Sequence, residues 1–112
     1  MTPYEKWDVV MIPFPFSDFT AHKRRPAIVV SSAGSNTDHE ITDLFVTSNL
    51  KSPAREGDHT LEFWKEAGFP KPSMARMKFV SIHSSVIIKK FGRILESDQS
   101  EILKKLLAYF SS

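Results

Sequence analysis

The chain has 112 residues, 41% of them hydrophobic, and a formal net charge of +2, so residues 1–112 are predicted to form a single domain. It has no cysteine, which excludes disulfides and thiolate metal sites and favours a reducing cytoplasm. No apolar run approaches the roughly 20 residues of a membrane span, and the polar Met1 to Lys6 lacks the apolar core of a secretory signal.

Three β-strands are predicted in the first half of the chain from apolar, β-branched runs. They are Trp7 to Ile12, Pro26 to Val30 and Ile41 to Ser48. The first run ends at Pro13-Phe14-Pro15-Phe16, whose prolines cannot donate to a sheet ladder. Polar stretches rich in turn-forming residues predict loops at Ser17 to Arg25, Ser31 to Glu40 and Asn49 to Gly57.

The second half is predicted to hold three more strands and one helix. The strands are a short one within His59 to Trp64, then Met74 to His83 and Ser85 to Phe91. Lys65 to Gly68 is predicted to form one helical turn that ends at the glycine. An amphipathic helix is predicted over Ser97 to Phe110, with Asp98 and Glu101 at capping-box spacing.

Five or six short strands followed by one helix predict a mainly β fold. The expected architecture is a compact antiparallel barrel or half-barrel with the helix packed on it. Side chains fill the interior of so small a barrel, so a functional site is expected on the surface, among the loops around Arg25 and Thr47.

Several chemistries are disfavoured by the residues present. The four glycines are isolated, which excludes a phosphate-binding Gly-rich loop, and no Gly-x-Ser-x-Gly elbow surrounds a serine. The four histidines lack paired spacing, so a zinc site is disfavoured and no metal or cofactor is expected.

What remains is a basic cluster, His22-Lys23-Arg24-Arg25, together with hydroxyl side chains. These residue types suit the binding and rearrangement of a phosphodiester. RNA supplies its own nucleophile, the 2′-hydroxyl, so the protein needs only to orient that group and neutralise the phosphate.

Several segments of the sequence resemble the PemK/MazF group of bacterial toxin endoribonucleases. The opening matches at Trp7 to Asp18 and at Lys23 to Ser31, and Phe45-Val46-Thr47-Ser48 is similar to the end of the family's third strand. Later matches are Trp64 to Ser73 with Arg76, and Gly92 to Leu95 with the C-terminal helix. The likeness therefore covers nearly the whole chain.

The resemblance implies an SH3-like barrel, a homodimer, and a cytoplasmic toxin of a type II toxin-antitoxin system. It implies metal-independent cleavage of single-stranded mRNA to a 2′,3′-cyclic phosphate and a 5′-hydroxyl, which inhibits translation and growth. It also implies nucleic-acid binding, to RNA and to DNA, and a cognate antitoxin whose flexible segment folds over the RNA groove.

The resemblance also assigns site residues. The family's catalytic arginine before a proline falls on Arg25, and its catalytic threonine falls on Thr47. RNA contacts are expected from His22, Lys23, Arg24, Ser48 and Arg76. Two positions depart from the family: Lys78 stands where a carboxylate can follow the second arginine, and Trp7 replaces the glycine before Asp8.

Simpler interpretations stay open at this point. Arg25 also fits a loop arginine lying over the barrel, and Thr47 a favoured strand residue. The exposed-looking Pro13 to Phe16 fits a dimer face. Two other functions compete: a toxin of the same fold that poisons DNA gyrase, and a non-catalytic small barrel that binds nucleic acid.

Overall fold

The computed structural model describes residues 4–13, 24–32 and 39–111. Within them the chain forms a curled, six-stranded antiparallel half-barrel with one C-terminal helix, as predicted. The strands are β1 (Asp8–Pro13), β2 (Arg24–Val29), β3 (Glu40–Thr47), β4 (His59–Thr60), β5 (Met74–His83) and β6 (Lys89–Arg93), and the helix is α1 (Glu96–Ser111). No helix in these ranges is long and apolar enough to cross a membrane.

The sheet has the strand order β4-β5-β3-β2-β1-β6 and carries a hydrophobic core on each face. Val9, Ile28 and Leu44 pack with Ile102 of α1 on one face. Val10, Ala27, Val29 and Ile41, whose side chains point the opposite way from the same strands, belong to the core of the other face. Because both faces are buried, β1 and β2 have the near-continuous apolar sequence of strands without a solvent face.

The strand β2 begins at Arg24, two residues earlier than predicted. Arg24 and Arg25 are therefore strand residues, opposite Pro13 and Ile12 of β1, and the prediction that Arg25 ends a loop is wrong. The rest of that predicted loop, with His22 and Lys23, lies outside the described residues, as does the Phe14 to Phe16 segment.

The predicted strand within His59 to Trp64 ends at Thr60. Beyond Leu61, whose N–H donates to the Ser73 carbonyl at 3.0 Å, the backbone N–H groups bind a side chain. Those of Glu62 and Phe63 donate to the carboxylate of Asp98, so they do not enter a sheet ladder. Residues 62–68 form successive turns, and Gly68 ends them with a φ of +107°, a conformation that favours glycine.

The predicted strand Ser85 to Phe91 begins late because its first residues form a 3₁₀ turn, Ser84–Val86. The His83 ring accepts the N–H of Ser85 at 3.1 Å and so caps this turn. Pairing with β1 resumes at Lys89, which lies opposite Met11.

Gly92 allows the turns of residues 62–68 to lie directly on β6. A Cβ atom at Gly92 would come within 1.7 Å of the carbonyl oxygen of Ala67. Backbone-to-backbone approach this close admits only glycine, so the position of these turns depends on that residue.

Asp43, at the centre of β3, is fully buried between Val29 of β2 and Val80 of β5. Within the described part of the chain neither of its carboxylate oxygens has a hydrogen-bond partner. Burial raises the pKa of Asp43 from 3.8 to about 7, because a charged carboxylate without donors is poorly solvated there.

Asp43 is predicted to make the fold less stable as the pH rises. Its folded-state pKa is raised, so the folded protein holds a proton that the unfolded chain loses between 3.8 and about 7. The free energy of unfolding should fall across that range by on the order of 4 kcal/mol. In Asp43→Asn this fall should be absent, and the variant should exceed the wild type in stability at pH 8.

Urea denaturation at a series of pH values measures this effect. Glu40→Gln, an exposed change on the same strand, is the control. Parallel stability curves for the wild type and Asp43→Asn would contradict the prediction.

Candidate active site

Two neighbouring hollows open at the edge of the sheet where β2 begins and β3 ends. Both are lined by Arg25 and Val46. The larger, of about 360 Å³, is also lined by Met11, Pro26, Ser48, Gly68, Phe69, Pro70, Lys71, Ser73, Lys89 and Phe91. The smaller, of about 180 Å³, is also lined by Phe45, Thr47, Arg55, Arg76 and Lys78. Arg25 therefore stands between an apolar hollow and a basic one.

Strand pairing brings Arg25 and Thr47 to the same edge. Ala27 of β2 lies opposite Phe45 of β3, and this register, continued by two residues, places Arg25 opposite Thr47. The structure thus brings together the two residues that the sequence singled out as catalytic.

The hydroxyl of Thr47 takes part in a tight turn. Its Oγ1 accepts the backbone N–H of Asn49 at 3.1 Å, and the Asn49 side chain in turn accepts the N–H of Lys51 at 3.3 Å. This arrangement orients the hydroxyl and leaves its proton for donation to a ligand. Ser48, next in the chain, lines the larger hollow.

Arg76 lines the smaller hollow and is held there by Asp58. Its Nε and Nη2 donate to the two Asp58 oxygens at 3.2 and 3.0 Å, and Nη2 also reaches Ser52 Oγ and the carbonyl of Pro53, each at 3.2 Å. Both side chains are mostly buried.

The pair shifts both pKa values towards the charged forms. Burial alone would raise the pKa of Asp58, but the hydrogen bonds from Arg76 and from the Arg55 N–H outweigh it and lower that pKa. The hydrogen bond to Asp58 raises the pKa of Arg76. The carboxylate that serves this arginine comes from residue 58, whereas Lys78 stacks its ammonium on the Phe45 ring at 5.6 Å.

Among the remaining predicted contacts, only Arg24 lies within the described residues. Arg24 is exposed opposite Pro13 and lies outside both linings. His22 and Lys23 fall outside the described residues, so their contact with RNA stays a prediction. Nor does the described chain hold a cluster of three or more His, Asp or Glu that would bind a metal ion.

Asp98 of α1 anchors the segment that forms one wall of the larger hollow. It accepts the N–H groups of Glu62 and Phe63 at 2.9 Å each and Nε2 of His59 at 2.8 Å. Burial opposes its charge, but these hydrogen bonds prevail and lower the pKa of Asp98. The predicted capping-box role is therefore replaced by a tertiary one, and α1 begins at Glu96, one residue earlier than predicted.

Lys105 completes this buried cluster. Its ammonium donates to Nδ1 of His59 and to the carbonyl of Asp58, both at 3.2 Å. A lysine ammonium only donates, so Nδ1 accepts and the His59 proton sits on Nε2, facing Asp98. One network thus ties α1 to β4 and to the residue that holds Arg76.

The chain matches one protein family and several solved structures. The family is described as PemK-like, MazF-like toxin of type II toxin-antitoxin system, and its match covers residues 5–110. No curated protein sequence matches.

Among similar solved structures is MazF from the MazE-MazF complex of Deinococcus radiodurans, with a TM-score of 0.72 at 19% identity over 96% of this chain and 95% of that one. Mycobacterium tuberculosis toxin MazF-mt6 gives 0.72 at 12% identity over 92% and 95%. A mycobacterial endoribonuclease in complex with its cognate antitoxin gives 0.75 at 9% identity over 96% and 94%. At these identities the structural likeness shows a shared fold.

Asp98→Asn is predicted to lower the free energy of unfolding at neutral pH by about 2 to 3 kcal/mol, since charged hydrogen bonds to two N–H groups and His59 are weakened. The lowered pKa gives the sign of the pH dependence. The contribution is present above the ordinary pKa of 3.8 and lost as the pH falls through the folded-state pKa, so the deficit should shrink in acid.

Chemical denaturation at several pH values measures this deficit. Glu96→Gln, an exposed carboxylate in the same first helical turn, is the matched control. An equal loss in both variants would contradict the assignment of Asp98 as an anchor.

Proposed function

The chain belongs to the PemK-like, MazF-like toxins of type II toxin-antitoxin systems, and we propose that it is a metal-independent endoribonuclease that cleaves single-stranded mRNA and thereby inhibits translation and growth. The main observation that supports the proposal is that Arg25 and Thr47 line the same basic hollow. A cation and a neutral donor at one point suit a phosphodiester whose charge grows during the reaction.

In the proposed reaction the RNA 2′-hydroxyl attacks the adjacent phosphorus. A bond forms between phosphorus and O2′, and the bond to O5′ breaks, which leaves a 2′,3′-cyclic phosphate and a 5′-hydroxyl. One proton leaves O2′ and one arrives at O5′, so neither metal nor cofactor is consumed. Arg25 neutralises the phosphate, and the Thr47 hydroxyl donates to a phosphoryl oxygen.

The larger hollow supports a single-stranded substrate. Met11, Phe69 and Phe91 give it an apolar lining beside Arg25, and Lys71 and Lys89 add positive charge. An unstacked base next to the scissile phosphate would pack on this apolar lining, which basic side chains surround. A base paired in a duplex is not available for such a site, so duplex RNA is expected to resist cleavage.

Arg25→Ala and Thr47→Val are predicted to slow cleavage in EDTA by roughly 100- to 1,000-fold, as expected when a transition-state donor is lost. The folds should survive, because Arg25 is exposed and Thr47 is only half-buried. Arg24→Ala, a neighbouring exposed arginine, and Thr47→Ser, which keeps the hydroxyl, are the controls. The measurement is the rate of appearance of new RNA ends, mapped on a long single strand.

The same assay separates the competing functions. Cleavage that disappears in chelator, or that persists at the wild-type rate in Arg25→Ala, would refute the proposed mechanism. RNA binding without cutting would favour a non-catalytic nucleic-acid-binding barrel. Growth inhibition with neither binding nor cutting would favour a toxin that acts on a protein such as DNA gyrase.

We further propose that a cognate antitoxin neutralises the enzyme in the cytoplasm by covering these hollows. Cations line both of them, so an acidic flexible segment suits the same surface as RNA. Two similar structures are of toxins with their cognate antitoxins. On this proposal antitoxin and RNA compete for one site.

The proposed homodimer has a candidate interface on the C-terminal half of α1. Leu107 and Phe110 are exposed by 64% and 69%, and they border an apolar groove of about 670 Å³ that also includes Val30 and Phe79. Within the described chain no charged side chain lines this groove, so it offers nothing to an acidic antitoxin. A second copy of the chain is the proposed occupant.

Leu107→Glu and Phe110→Glu are each predicted to shift the protein from dimer to monomer, since a buried unpaired charge opposes association. Sedimentation velocity at micromolar concentration measures the shift. Lys104→Glu, an exposed change on the same helix, should leave the dimer intact. A wild-type chain that sediments as a monomer would overturn the proposal.

A further inference from the structure

Arg76 presents an unusual combination of charge and hydrogen-bonding capacity. A guanidinium has five N–H donors. Those on Nε and Nη2 are bound to Asp58, Ser52 and Pro53, whereas within the described residues the two on Nη1 have no partner. Arg76 therefore keeps two donors for a ligand of the smaller hollow, which it lines.

The charge of Arg76 is already matched before a ligand binds. The Asp58 carboxylate lies within 3.2 Å of both bonded guanidinium nitrogens, so the pair carries no net charge. A phosphate at Nη1 would approach this carboxylate as well and would be repelled by it. A neutral acceptor on RNA, such as a base carbonyl or a ring nitrogen, meets no such repulsion.

Asp58 is itself fixed by the fold. The N–H of Arg55 donates to its carboxylate at 2.8 Å, and its own N–H donates to the Arg55 carbonyl at 3.1 Å. Its carbonyl accepts from Lys105 of α1, and the next residue, His59, is bound to Asp98. The orientation of Arg76 is therefore set before RNA arrives, which is what precise recognition requires.

We propose that Asp58 is a positioning residue that makes Arg76 a reader of a base edge instead of a phosphate contact. The Arg76–Asp58 pair supplies two oriented donors without net charge, and so it contributes sequence preference and little electrostatic affinity. Arg25, beside it, supplies the charge. This inference rests on the proposed RNA substrate. Within that site it assigns base recognition to Arg76 and phosphate binding to Arg25.

The salt dependence of binding separates the two roles. Each phosphate contact to a single strand changes the slope of log affinity against log salt concentration by about 0.7. The probe is a labelled oligonucleotide with the mapped cleavage sequence and a 2′-deoxy nucleotide at the attacking position, which blocks cleavage. Its affinity is measured by fluorescence anisotropy at several KCl concentrations.

Asp58→Asn should steepen the slope by about 0.7, because it frees the Arg76 charge for a phosphate. Arg76→Gln combined with Asp58→Asn keeps the pair neutral, so this double variant should have the wild-type slope and should discriminate less at one base of the sequence, by roughly 10-fold. Arg25→Gln, which removes the proposed phosphate contact, should flatten the slope by about 0.7. Lys104→Gln removes an equal charge from an exposed side chain that lines neither hollow, and it should change nothing.

Two results would overturn the inference. One is a slope that flattens as much in the double variant as in Arg25→Gln, which would make Arg76 a phosphate contact. The other is an Asp58→Asn variant that differs from the wild type only in thermal stability, which would make Asp58 purely structural. If Asp58→Asn alone does not fold, the comparison of the double variant with Arg25→Gln still distinguishes the two roles.

The result of this binding experiment can be distinguished from the result of the cleavage assay that tests the proposed function. An RNA sequence that binds with the expected slopes and is never cut would refute the nuclease and leave the roles of Asp58 and Arg76 intact. For that case the probe is a single strand selected by binding alone. A chain that binds no single-stranded RNA would overturn both.

Discussion

The pairing of β2 with β3 is the constraint on which the candidate site depends. In an antiparallel pair the beginning of one strand and the end of the next lie at the same edge, so Arg25 and Thr47 become neighbours although they are 22 positions apart in sequence. Both faces of the sheet are buried, and a slip by one residue would exchange the residues of the two cores. Core packing thus fixes the register, and the register assembles the hollow.

Asp98, Asp58 and Asp43 differ in the hydrogen-bond donors that surround their carboxylates. Asp98 has three donors and remains charged, and it holds a wall of the larger hollow. Asp58 has a guanidinium and holds a site residue. Asp43 has no donor among the described residues, and its raised pKa reflects that lack. Asp98 and Asp58 hold parts of the candidate site in place, whereas Asp43 destabilises the sheet when it is ionised.

Local sequence was sufficient for most of the fold. The apolar runs predicted β1, β3 and β5 closely, and helical spacing predicted α1 to within one residue at either end. Membership of the family and the half-barrel with its C-terminal helix were predicted correctly as well. The strands and the helix could be predicted because periodicity and propensity report directly on burial and backbone conformation, whereas the family was identified from the resemblance of several sequence segments.

Features that depend on distant contacts were not predictable. Asp98 has the spacing of a helix cap, yet its partners are 35 and 36 residues away, on backbone that would otherwise extend a strand. No spacing links Asp58 to Arg76, because the loop between Thr47 and β4 must first fold back. Of the site residues, Arg25 and Thr47 were placed by resemblance, and their proximity became visible only through strand pairing.

The close approach of Gly92 to the carbonyl of Ala67 restricts substitution at position 92, whereas the exposed side chains nearby are free of that restriction. It fastens the turns of residues 62–68 to β6 by backbone alone, while the side chains that follow, Pro70 and Lys71, stand exposed at the rim of the larger hollow. Substitutions at the rim leave the support beneath it untouched. If the hollow binds RNA as proposed, exchanges at Pro70 or Lys71 are expected to alter ligand preference without disturbing the fold.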